Sequence, residues 1–111
     1  MSKVKIRATP EPANDPQVRL SARDASAAPG QRIRWRTKNS DGFKFKDLGH
    51  LGVFTDVMVK KKTIYATFSP PEGDPPNSTY VYTIFMERGS DEINSDYAVI
   101  PPTGGKAVIR N

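Results

Sequence analysis

The sequence predicts an all-β chain folded as an antiparallel two-sheet sandwich of seven to nine strands with Greek-key connections. Three observations carry that expectation. Apolar residues alternate with polar ones in short runs, the period of a half-buried strand. Ten prolines and eight glycines cut the chain into pieces of strand length. No stretch shows the apolar spacing of an amphipathic helix. The 111 residues suit a single domain, 1–111, large enough to bury a core without disulfides or metals.

The elements follow in order. Val4, Ile6 and Ala8 alternate with Lys3, Lys5, Arg7 and Thr9. After the turn-rich PEPANDP, Val18, Leu20 and Ala22 alternate with Arg19, Ser21 and Arg23. Pro29-Gly30 turns the chain into RIRWRTK, where Ile33 and Trp35 point one way and Arg32, Arg34, Arg36 and Lys38 the other. Asn39-Ser40-Asp41-Gly42 is a turn cluster ahead of FKFK. Gly49 and Gly52 place His50 and Leu51 in a loop, and residues 53–59 fit either a strand or an irregular segment. TIYATF sets Ile64, Ala66 and Phe68 on one face. The proline-rich SPPEGDPPNS reads as a stiff, exposed loop. YVYTIFME is apolar on both sides, as in a central strand covered on two faces. An acidic turn, GSDEINSD, leads to the strand YAVI, the turn PPTGG and a last strand, KAVIR.

Charge is distributed unevenly. The net charge is +5, but residues 31–62 hold nine basic and three acidic residues, whereas residues 72–96 hold one and six. Such asymmetry suits an acidic partner. It equally suits an acidic segment folded back onto the basic one. The absence of cysteine excludes disulfides, thiolate nucleophiles and thiolate metal ligands. No run approaches the length of a membrane span, and MSKVKIRATP lacks the apolar core of a signal peptide. The expected setting is cytoplasmic, without a membrane partner.

QVRLSARDASAAPGQRIRWRTKNSDGFKFK resembles the front half of a cupredoxin, in which a strand, a Pro-Gly or Ala-Gly turn and an alternating strand lead to the first copper ligand. YVYTIFM is similar to that family's penultimate strand and KAVIRN to its last. Immunoglobulin-like sandwiches share much of this pattern. The family's metal is held by two His, a Cys and usually a weak Met. Here Gly42 or Phe43 stands where the first His belongs, and FMERGSDEINSD replaces the stretch carrying Cys and the second His. No copper and no other cofactor are therefore expected. The resemblance implies that the first and third strands are sheet neighbours. Lys3, Lys5 and Arg7 would then lie beside Arg32, Arg34 and Arg36 on that sheet's outer face, extended by Arg19 and Arg23.

Other constellations have ordinary structural readings. His50, the only histidine, sits in no nucleophile motif and suits a loop or packing role. Asp91, Glu92, Asn94 and Asp96 lack calcium-loop spacing and read as a solvated acidic turn. Trp35 reads as a core anchor. Phe43-Lys44-Phe45-Lys46 can interleave stacking rings with phosphate contacts, yet it is also an amphipathic strand with Phe inside, which is preferred. Lys60-Lys61-Lys62 reads as a hairpin turn or protected edge. These observations point to a non-catalytic interaction module. Its basic sheet face (Lys5, Arg7, Arg32, Arg34, Arg36, Lys38) would bind an acidic protein surface or a second copy. The alternative is nucleic-acid binding of low specificity through the same face.

Overall fold

The computed structural model describes residues 3–38, 41–102 and 104–111. Asn39 and Ser40 of the expected turn cluster, and Thr103 of PPTGG, lie outside the described residues. The strands are β1 (Val4–Pro10), β2 (Val18–Leu20), β3 (Asp24–Ser26), β4 (Arg32–Arg36) and β5 (Lys44–His50), then β6 (Phe54–Val59), β7 (Thr63–Phe68), β8 (Thr79–Arg88), β9 (Asp91–Asn94) and β10 (Ala107–Arg110). The first sheet has the order β2-β1-β4-β7-β6. The second has the order β3-β10-β8-β5, with β9 also paired to β8.

The all-β, sandwich-like architecture matches the sequence, but two details are corrected. Ten strands form among the described residues, not seven to nine. The sheets are mixed rather than purely antiparallel, because β1 pairs with β4 and β3 with β10 in parallel. The cause is the path of the chain. β2 turns back along β1, the chain crosses to the second sheet as β3, and the Pro29-Gly30 turn returns it to the first as β4. Strands separated by such crossings need no tight hairpin between them and are free to run parallel. Gly30 makes the return with φ +84°, a conformation that side chains disfavour, and its N–H donates to the Phe68 carbonyl.

Alternation decides which residues meet between the sheets. Ile6, Ala8, Ile33, Trp35, Ile64, Ala66 and Phe68 face inward from the first sheet. Phe45, Leu48, Tyr82, Ile84, Met86 and Ile109 meet them from the second. Trp35 is wholly buried. Its ring meets Phe54 edge-on at 5.6 Å and Tyr82 at 5.2 Å, and its Nε1–H donates to the Tyr82 hydroxyl at 3.2 Å. An indole needs such an acceptor when it leaves water.

Other expectations fail for local reasons. YAVI is no strand: Val99 and Ile100 are exposed, and the Asp15 carboxylate holds the segment by accepting the N–H groups of Ala98 and Val99. The acidic turn is instead half a hairpin, with β9 paired to the end of β8. Gly49 and His50, read as loop, instead belong to β5, which continues past a register shift between Phe45 and Asp47. β8 is central as expected but covered unequally. Tyr82, Ile84 and Met86 are buried inside, while Val81 on the outer side is exposed.

Burial pushes the Tyr82 phenol up to about 12 from its ordinary 10, and the Trp35 hydrogen bond and the Arg23 charge oppose this only in part. The folded chain therefore holds the phenolic proton more tightly than the unfolded chain does. Stability from this group is complete below about pH 10 and is lost as the pH rises toward 12. The expected loss across that window is about 2–3 kcal/mol. Urea midpoints at pH 9, 10, 11 and 12 for the wild type and Tyr82→Phe read it, and the variant should lack this component.

Candidate interaction surface

Outward positions of the first sheet alternate with its core positions, so the local period alone fixes where each basic side chain emerges. The register then sets their neighbours. On the parallel β1–β4 pair, Lys5 stands opposite Arg34 and Arg7 opposite Arg36, about 4.8 Å apart across the ladder. On the other side of β4, Arg32, Arg34 and Arg36 face Thr67, Tyr65 and Thr63 of β7. Lys38 continues the row just past β4 and is exposed.

Five of the six expected site residues share one condition. Among the described residues, the side chains of Lys5, Arg7, Arg34, Arg36 and Lys38 make no ion pair and no hydrogen bond. The Nε of Arg34 is buried without a hydrogen-bond acceptor. Arg32 differs. Its guanidinium donates to Thr67 Oγ1 at 2.9 Å and to the Asp56 carbonyl at 3.3 Å, and lies over the Tyr65 ring. Lys3 and Lys60 approach the same ring, at 5.0 and 6.0 Å. Tyr65 is thus the hub of a second cationic group, which sequence reasoning passed over. The signal was present: with Ile64, Ala66 and Phe68 inside, Tyr65 has to point out.

Two hollows flank the row. One, about 380 Å³, lies between β1 and β4 and reaches Ser21. The other, about 470 Å³, lies on the β7 side and reaches Lys62, Thr63 and Tyr65. Arg34, Arg36 and Lys38 border both. The chemical capacity of such a surface is anion recognition. Guanidinium forks match the oxygens of carboxylates and phosphates, and the lysines add point charges.

The expected extensions are only half present. Arg19 lies on β2 in the same sheet, tied to Glu11 at 3.2 Å. Arg23 has left the sheet. It lies over the Tyr97 ring at 4.6 Å and donates to the Ser95 and Gly105 carbonyls, because β2 ends at Leu20.

The acidic segment does not cover the basic face. Glu87 pairs with Lys44, Glu92 with Lys46, Asp91 with Arg88 and Asp96 with Lys106. All of these belong to the second sheet or its loops. The Glu92 carboxylate, hydrogen-bonded to the Lys46 ammonium, raises Lys46 above the usual lysine range. These acids of the segment thus pair on the second sheet, while the row on the first meets no carboxylate among the described residues.

The remaining motifs fall into structural roles. Phe43 and Phe45 are buried, and Lys44 and Lys46 lie on the opposite sheet from the basic row. His50 ends β5; its Nδ1 accepts the Gly52 N–H at 3.0 Å, and its ring packs on Phe54. Lys60 opens the β6–β7 hairpin turn, its N–H donating to the Thr63 carbonyl. Among the described residues, no helix is long and apolar enough to cross a membrane.

Fold and surface together define a class: an all-β, sandwich-like protein with a row of outward cations on its first sheet that meets no carboxylate among the described residues. No family model matches the chain, and no curated protein matches it significantly.

Proposed function

We propose that this chain is a non-catalytic interaction module that binds an acidic partner through the outer face of its first sheet. The observation that carries the proposal is the in-register row of Lys5, Arg7, Arg34 and Arg36, which has no carboxylate partner among the described residues. Like charges opposite one another weaken a sheet. A bound polyanion relieves that repulsion, and desolvated arginine forks add directed hydrogen bonds. The finer description of the framework, a cupredoxin-like Greek-key sandwich without copper, belongs to the same proposal; the adjacency of β1 and β4 supports it. A cytoplasmic setting belongs to the same proposal.

Two competing readings fit the geometry less well. A second copy would have to offer its acidic segment, yet four of that segment's six acids, Glu87, Asp91, Glu92 and Asp96, each already hold a cation. Nucleic acid would gain phosphate contacts, but Tyr65, the aromatic ring on this face, is ringed by Lys3, Arg32 and Lys60 and offers no open platform for a base.

Fluorescence anisotropy tests the reading with a glutamate-rich peptide and a single-stranded oligonucleotide of equal charge. The peptide should bind at least as tightly as the oligonucleotide. Its affinity should fall by about tenfold or more between 50 and 200 mM salt, because the face acts by charge. An oligonucleotide that binds tenfold more tightly sinks this reading in favour of nucleic acid, and failure of both to bind sinks it outright.

A further inference from the structure

We propose that the hollow between β1 and β4 is a subsite for a tetrahedral oxyanion of the phosphate class. The inference rests on the reading of the basic face and narrows it to one ligand chemistry. Lys5, Arg7, Arg34, Arg36 and Lys38 border this hollow of about 380 Å³, together with Ser21. Three features favour a phosphoryl group over a carboxylate.

The first is the number of charges. Five cations converge with no acid among them, so one carboxylate leaves most of the field unbalanced. A phosphoryl group brings a charge of about −1.5 to −2 and three acceptor oxygens. The second is the inward face of Arg34. Its Nε–H is buried and unmet, and it is one tooth of a fork suited to two oxygens of a single anion. The third is Ser21. Its Oγ accepts the Arg7 backbone N–H at 2.8 Å, which leaves its hydroxyl proton to donate to a ligand oxygen. A tetrahedral group can be held from both strands at once, because the parallel register brings Lys5 to Arg34 and Arg7 to Arg36.

NMR titration of the ¹⁵N-labelled chain with sodium phosphate tests the subsite, with acetate at matched ionic strength as control. Phosphate should produce saturable shifts at the Arg34 Nε–H and at the Lys5, Arg7 and Arg36 amides, and acetate should not. Affinity should fall from pH 7.5 to 5.5, as the dianion takes up a proton. Arg34→Gln should abolish the response. Arg34→Lys, which keeps charge without the fork, should weaken it about tenfold. Trp35 fluorescence verifies folding of each variant, and Arg36→Gln serves as a second probe of the site. Equal shifts with acetate, or a full response in folded Arg34→Gln, overturn the subsite.

A glutamate-rich peptide with and without one phosphoserine separates the sources. At least about tenfold tighter binding of the phosphorylated form supports the subsite and names a partner's phosphorylated side chain as the source. A saturable phosphate response without that gain supports the subsite and names the free ion. Peptide binding while phosphate leaves Arg34 unmoved removes the subsite and leaves the interaction surface standing; loss of both removes both.

Discussion

The double variant Arg34→Glu/Arg36→Glu should bind a glutamate-rich peptide about 100-fold more weakly than the wild type and yet be the more stable protein. The binding loss follows from replacing two cations at the shared border of both hollows by two anions, which turns attraction into repulsion at the centre of the surface. The stability gain follows from the register. Lys5 opposite Glu at 34, and Arg7 opposite Glu at 36, exchange two like-charge pairs for two opposite-charge pairs. Cross-strand pairs of this kind are worth about 0.2–1 kcal/mol each, so a gain of about 1 kcal/mol is expected. Urea denaturation at low and high salt, alongside anisotropy, measures both effects. The stability difference should shrink in salt, where the wild-type repulsion is screened. A variant that loses both binding and stability contradicts this account, since the row would then be structural.

The basic row is legible in the sequence because its placement depends on neighbouring residues alone. Alternation is a local property. Once Ile33 and Trp35 are assigned to the core, Arg32, Arg34 and Arg36 have to point out, whatever the strand pairs with. The same logic covered Phe43 and Phe45 inside, and it extended to Tyr65 without being applied there. The fate of the charges was not legible, because it depends on contacts far apart in sequence. Nothing near Glu92 shows that it meets Lys46, and nothing near Arg23 shows that it stacks on Tyr97. The parallel β3–β10 pair joins residues 24–26 to residues 108–110, beyond the reach of any window. YAVI misled for a related reason. Its apolar residues satisfy strand propensity, but its backbone N–H groups go to Asp15 rather than to a neighbouring strand.

On the strand that carries the row, Trp35→Ala should cost about 3–5 kcal/mol of stability, the range for removing a large aromatic side chain from a core. Three effects coincide. The wholly buried ring leaves a cavity between the sheets, the ring contacts with Phe54 and Tyr82 vanish, and the buried Tyr82 hydroxyl loses its Trp35 donor. Trp35→Phe separates them. It refills part of the volume but supplies no donor, so it should lie between the wild type and the alanine variant in urea denaturation. Binding discriminates further. Trp35 alternates with Arg34 and Arg36, so its side chain lies on the opposite side of β4 from the cations. A folded Trp35→Phe chain should therefore keep its affinity for the acidic peptide within about twofold, as expected for a change on the far side of the sheet. Loss of affinity without loss of folding would instead show that the indole sets the spacing of the row as well as anchoring the core.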